Sequence, residues 1–137
     1  MNVKTRQELL CSQKVYICAP MRACDDFIVY DNQKRAEQFA IDAMEEYGCQ
    51  ALSPQAYLPY LLDLDDPIQF GLSLQFREKL ISLCDAILVC GSTVTDEMQQ
   101  ELLYAIQKGL LIVAKPENET AVHRFITQRG LGWEVIL

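Results

Sequence analysis

The sequence predicts an α/β domain built on a doubly wound, five-stranded parallel sheet in the flavodoxin- and Rossmann-like order 2-1-3-4-5. Three observations carry that expectation. Short apolar runs alternate with longer segments whose apolar residues recur every three or four positions, so strands and helices take turns along the chain. The run Ala86–Val89 is apolar at every position, as in a central strand covered on both faces. The 137 residues, half of them hydrophobic and 23% charged, suit one domain with its own core.

Residues 1–13 read as a polar lead-in and 14–137 as the domain. "KVYICAP", Lys14 to Pro20, is the first strand, closed by proline. "MRACDDFIVYD" is expected to loop. Asn32 then suits the N-cap of a helix over 33–47, with Ala36, Phe39, Ala40, Ala43, Met44 and Tyr47 on one face and Gly48 ending it. "CQALSP" is the second strand. "QAYLPYLLDLDDP" reads as an irregular connection. Pro67, after Asp66, suits the first turn of a helix reaching Leu83. Its Ile68, Leu72, Leu74, Phe76, Leu80 and Leu83 are expected to pack inward. "DAILVCG" is the third strand, followed by a helix from Glu97 to Lys108 that Gly109 ends. "LLIVAK", a helix in "NETAVHRFITQRG" and a fifth strand "WEVIL" complete the chain. Right-handed crossovers leave 2-1-3-4-5 as the natural strand order.

Composition excludes several classes of function. A net charge of −7 argues against a nucleic-acid polymer or an anionic membrane as partner. The N-terminal residues carry no apolar signal-like run and no segment is long enough to span a bilayer, so a cytoplasmic protein is expected. The six cysteines then read as reduced thiols. They form no C-x-x-C pair and His123 is the single histidine, so neither a metal site nor a cofactor is expected.

In open parallel sheets ligands bind beyond the carboxyl ends of the strands, where the strand order reverses. The loop after the first strand brings Pro20, Met21 and Arg22 there. The segment after the third brings Gly91, Thr95 and Met98, and the 57–66 connection can overhang both. The Arg22 guanidinium can hold a phosphate or carboxylate, or sit solvated on its loop. Glu97 and Glu101 lie one turn apart, and acids near a helix N-terminus are often merely solvated. Leu102, Ala105 and Ile106 face the sheet, however, which puts Glu101 at the edge of the crevice. Asp85 reads as a turn residue at the far end of the sheet, and Tyr16 as a core tyrosine whose hydroxyl needs a partner.

The segments "VYICAPMRA", "NQKRAEQFAIDAMEEYGCQALSPQAYLP" and "LCDAILVCGSTVTDEMQQELLYAIQKG" resemble, in order and spacing, the nucleoside 2-deoxyribosyltransferase superfamily. They look most like its small bacterial and phage members described as DUF4406-like domains. The resemblance covers Lys14 to Lys115. It implies cleavage or exchange of the N-glycosidic bond of a nucleoside or nucleotide, through a glutamate that attacks C1′ and forms a glycosyl-enzyme. By position that glutamate matches Glu101 in "TDEMQQE". The tyrosine that orients it matches Tyr16, the loop arginine matches Arg22, and a serine or threonine that contacts phosphate or sugar matches Thr95. The acid that protonates the departing base is Asp96, or one of Asp63, Asp65 and Asp66. A homo-oligomer is also implied.

Three positions depart from the family pattern. Ala19 replaces a serine, Ala23 replaces a glycine, and Glu97 stands where a glycine precedes the methionine. These changes remove a hydroxyl and close approaches that a phosphate would use. The alternative expectation is therefore a non-catalytic small-nucleotide binding or sensing domain. A third is an interaction module in which Tyr57, Tyr60 and Leu61 form a subunit contact.

Overall fold

The structure, a computed structural model, describes residues 5–21 and 26–129, with only the backbone described for 26–28. Helix α1 spans Arg6–Leu10, strand β1 Lys14–Cys18, helix α2 Asp26–Tyr47 and strand β2 Gln50–Leu52. After a 3-10 turn at Pro54–Ala56 come helices α3, Leu58–Leu61, and α4, Pro67–Ser82. Strand β3 is Ala86–Val89, helix α5 Asp96–Gln107 and strand β4 Leu111–Ala114. A second 3-10 turn, Pro116–Asn118, leads into helix α6, Glu119–Gln128. The four strands are parallel and lie in the order β2-β1-β3-β4. The expected fifth strand, 133–137, lies outside the described residues. No helix among the described residues is long and apolar enough to cross a membrane.

Alternation along the strands sends successive side chains to opposite faces of the sheet. Val15, Ile17, Leu88 and Val113 pack with Leu10 of α1 and with Ala40, Ala43 and Tyr47 of α2. Tyr16, Cys18, Ile87, Val89 and Ile112 pack with Ile81 of α4, Met98 and Leu102 of α5, and Val122 and Phe125 of α6. Register at the amino end is fixed by Asp85. Its backbone N–H donates to the Lys14 carbonyl at 2.8 Å, and its carboxylate accepts the Lys14 N–H at 3.0 Å. Asp85 is thus a structural residue. Cys18, Cys49, Cys84 and Cys90 are buried free thiols and Cys11 is an exposed one. Cys24 lies outside the described residues.

Three expectations need correction. α2 begins at Asp26 instead of residue 33, so Asn32 lies inside it. No glycine or proline interrupts 26–47, and the cap signal at Asn32 yields to an uninterrupted helix. Of its expected inward face Met44 is exposed, while Ala36, Ala40, Ala43 and Tyr47 are buried. The 55–67 connection is not irregular throughout: Pro54 and Pro59 each start a helical turn, where a missing N–H costs nothing.

The third correction concerns α4. Its ends fall where expected and Leu80 packs against the core, but most of its expected inward residues point outward. Ser73, Arg77 and Ile81, spaced four apart, are buried. Ile68, Leu72, Phe76 and Leu83 are exposed, and Leu74 and Leu80 are half-buried. The physical reason is the partner that the Arg77 guanidinium finds inside the fold.

Candidate functional site

Helix α5 starts from a local signal. The Thr95 hydroxyl accepts the Met98 N–H at 3.3 Å, and the Met98 thioether accepts the Thr95 N–H at 3.4 Å. The cap satisfies donors that the first helical turn leaves open. From there Met98, Leu102, Ala105 and Ile106 bury against the sheet. Glu101 lies within the same arc and is carried into the core, where it is 2% exposed.

Three other elements converge on that carboxylate. From β1 the Tyr16 hydroxyl donates to Oε2 at 2.5 Å. From α4 the Arg77 Nη1 donates to the same oxygen at 3.1 Å, forming an ion pair whose two members are 1% and 2% exposed. From the turn after β2, Gln55 Nε2 approaches both carboxylate oxygens at 3.5 Å and the Tyr16 hydroxyl at 3.4 Å. Ser73 Oγ accepts Arg77 Nε at 3.2 Å, which fixes the guanidinium plane. Oε2 therefore takes the two strong donors, and among the hydrogen bonds of the described residues Oε1 receives the long approach of Gln55. Gln55 Oε1 and Arg77 Nη2 are buried without a hydrogen-bond partner among the described residues. The cluster thus carries one spare acceptor and one spare donor beside the carboxylate.

Burial dominates the proton affinities here. Loss of water raises the Glu101 pKa above the ordinary glutamate range. The Arg77 charge and the hydrogen bonds from Tyr16, Arg77 and Cys18 pull it down without offsetting that rise. Tyr16 is raised well above the usual phenol value, first by burial and then by the Glu101 charge, so it remains a hydroxyl donor. Cys18 is raised for the same two reasons. It stays a thiol, donating to the Met98 carbonyl at 3.7 Å, and is no nucleophile at neutral pH.

The other sequence candidates sit elsewhere. Asp96 is exposed in the first turn of α5 and makes no hydrogen bond or ion pair with this cluster. Asp63 and Asp65 are exposed; the Asp63 carboxylate accepts the Asp65 N–H at 3.1 Å, and the Asp63 N–H donates to Gln69 Oε1 at 2.7 Å. Thr95 is the helix cap, and Met98 is fully buried beneath it. Met21 is buried and Pro20 half-buried. Arg22 and Ala23 lie outside the described residues. Sequence reasoning did not find Arg77, Gln55 or Ser73. The available signal was an arginine one turn after a serine and one turn before an isoleucine, on a different side of α4 from Leu72 and Phe76.

Gly91 has φ +100°, and a Cβ there would meet Pro20 Cδ at 2.8 Å. Only glycine fits, so the two loops that frame the mouth of the sheet close against each other. Beside them opens a cavity of about 320 Å³, lined by Arg35, Gln38, Phe39, Gly91, Ser92 and Glu117. It lies on the α2 side of the sheet, whereas Tyr16 and Glu101 face α4 and α5. The open cavity and the charged cluster are separate features.

Residues 13–115 match the family model described as a domain of unknown function, DUF7768. The chain belongs to that family. The match takes in β1 through β4 and so includes all four contributors to the cluster: Tyr16, Gln55, Arg77 and Glu101. No curated protein matches this DUF7768 chain.

Proposed function

We propose that this protein acts on the N-glycosidic bond of a nucleoside or nucleotide, by hydrolysis or deoxyribosyl transfer, with Glu101 as nucleophile. On this reading it is a divergent relative of the nucleoside 2-deoxyribosyltransferase superfamily, similar to its small DUF4406-like members. It is cytoplasmic and homo-oligomeric, with 133–137 as a fifth strand beside β4. The observation that carries the reading is the Tyr16–Glu101 hydrogen bond of 2.5 Å, which joins the two residues the resemblance pairs.

The chemistry follows from the two unequal oxygens. Oε2 is anchored by Tyr16 and Arg77, which leaves Oε1 to attack C1′. The bonding pair of the glycosidic bond leaves with the base, which takes up a proton from an acid. Asp96 and the 63–66 segment remain the acids for that step. Positive charge grows on the sugar as the bond breaks, and a carboxylate beneath it stabilises that charge. Water or a second base then attacks C1′ of the ester and frees Glu101. The Arg77 charge favours the ionised carboxylate against the burial that raises its pKa, and Gln55 Oε1 and Arg77 Nη2 offer hydrogen bonds to the sugar.

One observation favours a second reading. Arg77 neutralises Glu101 in a site where neither is more than 2% exposed, and no second carboxylate joins the cluster among the described residues. A domain that binds a small nucleotide without turnover fits that arrangement.

Base release from a panel of deoxynucleosides and their 5′-phosphates, followed by chromatography, tests the first reading. Wild type releases base. Glu101→Gln loses at least about a thousandfold, the equivalent of roughly 4 kcal/mol of transition-state stabilisation. The double variant Glu101→Gln with Arg77→Met serves as the control that leaves no charge unpaired in the core. Unchanged release in Glu101→Gln eliminates the glutamate mechanism. Absence of release in wild type, with a ligand from the panel raising the melting temperature, selects the binding reading.

A further inference from the structure

The cavity of about 320 Å³ beside Gly91 lies outside the candidate site. Three separate stretches build it around the carboxyl ends of β3 and β4. They are α2 with Arg35, Gln38 and Phe39, the loop after β3 with Gly91 and Ser92, and the turn after β4 with Glu117. Its volume is at the small end of ligand pockets, and its place is the end of the sheet where open parallel folds bind their ligands.

The floor is apolar and shaped in advance. The half-buried Phe39 ring packs on the core between α2 and the sheet. A Cβ at Gly91 would lie 3.8 Å from its Cε2. Gly91 and Ser92 hold φ values of +100° and +62°. Non-glycine residues seldom take such values, and a residue like Ser92 keeps one only where its surroundings fix it.

The walls carry opposite charges that are not spent on each other. Arg35 and Glu117 are both exposed, and neither takes part in an ion pair among the described residues. Gln38 Nε2 donates to Asp42 Oδ1 at 2.7 Å, which leaves Gln38 Oε1 as an acceptor. The cavity thus offers a guanidinium to an anion, and a carboxylate and an amide oxygen to a cation, around an aromatic surface.

We infer that this cavity binds a free α-amino acid with a large apolar side chain. Its carboxylate pairs with Arg35, its ammonium with Glu117, and its side chain lies on Phe39. Two arguments select a zwitterion. A ligand with a single charge satisfies one wall and is repelled by the other. The chain also carries a net charge of −7, which repels the phosphate of a nucleotide, whereas a zwitterion brings no net charge. The inference does not rest on the catalytic reading, because Tyr16 and Glu101 face the opposite side of the sheet.

Amide NMR spectra of the isotope-labelled full chain, titrated with L-phenylalanine, test it. The Gly91 and Ser92 amides are expected to shift, with a Kd of about 1 mM or below, as a ligand of this size reaches at modest efficiency. Phenylpropionate lacks the ammonium and L-phenylalaninamide lacks the carboxylate. Each is expected to bind roughly three- to fivefold more weakly, the scale of an exposed ion pair. Arg35→Gln should lose the same factor for L-phenylalanine and no longer distinguish it from L-phenylalaninamide. Glu117→Gln should no longer distinguish it from phenylpropionate. Both variants replace exposed side chains outside any ion pair, so the rest of each spectrum should stay as in wild type. No shift at Gly91 and Ser92 up to about 10 mM L-phenylalanine, tenfold above the expected Kd, overturns the proposal. So does equal affinity for all three ligands. A response to deoxynucleoside 5′-phosphates without one to L-phenylalanine also overturns it and gives the cavity to a nucleotide.

Discussion

Helices α4 and α5 lie against each other on one face of the sheet, yet they are placed by opposite means. α5 follows its apolar stripe: Met98, Leu102, Ala105 and Ile106 go inward, and the local cap at Thr95 sets where it starts. α4 turns its stripe outward and is held by Arg77, Ser73 and Ile81. An apolar stripe therefore does not by itself fix which side of a helix faces its own core. A buried ion pair can compete with the stripe, because leaving one charge inside a fold without its partner costs about 3–5 kcal/mol.

The strongest way to break this contrast is to remove one charge. Arg77→Met leaves the Glu101 carboxylate buried alone, and Glu101→Gln leaves the guanidinium alone. Each is expected to lower unfolding free energy by about 3–5 kcal/mol in urea titrations. The double variant should recover most of that loss. Additive losses across the cycle would mean that the two residues do not interact. The same cycle bears on activity assays, since Glu101→Gln alone strips Arg77 of its counter-ion.

Next comes Tyr16→Phe. It removes the hydroxyl donor from Oε2 and leaves the ring packed, so the loss is that of a hydrogen bond to a charged group, about 1.5–3 kcal/mol. A loss of a few tenths by the same titration would remove Tyr16 from the set that holds Glu101.

The pH dependence is smaller and has a definite sign. Because burial raises the Glu101 pKa, the native state holds this proton more tightly than the unfolded state does. Its contribution to stability is complete below the ordinary glutamate value and fades as pH rises through the raised one. Between those two values, unfolding free energy should fall with rising pH relative to the double variant, by at most about 1.4 kcal/mol per unit of separation. A difference curve with the opposite slope would show that Arg77 and Tyr16 outweigh desolvation. On the proposed reading catalysis needs the ionised form, so base release should fall with decreasing pH through a midpoint above the ordinary glutamate pKa.

The smallest effect sharpens the contrast at the helix starts. Thr95→Ala removes a side-chain cap and should cost about 1 kcal/mol. Asp66, the residue before α4, makes no such bond, and Asp66→Ala should change stability by no more than about half as much. Equal losses in thermal melts would mean that α4, too, is set locally.

The readable parts of this sequence were those decided by neighbours in the chain. Ala86–Val89 is apolar throughout and is the central β3. α5 stops before Gly109 as expected and starts at Asp96, one residue ahead of the expected Glu97. Tyr16 and Glu101 were singled out by resemblance, and they meet. Arg77 and Gln55 were not legible, because their positions depend on a carboxylate far away in sequence. Hydropathy reads an arginine among leucines as the solvated edge of a stripe. The early start of α2 was hidden by Asn32, a good cap where the helix needs none.

The parallel pairing of β1 with β3 has a consequence for how the chain is made. Partners across that pairing are 71 residues apart, and Tyr16 and Glu101 are 85 apart. Long loops must close before either contact gives anything back, which slows folding. During synthesis Arg77 emerges 24 residues ahead of Glu101, so α4 is complete while its guanidinium still has water for company. Only after α5 arrives can both dock. The ion pair therefore acts as a late checkpoint: a chain cut short before residue 101 keeps its first three strands but lacks the carboxylate that pairs with Arg77.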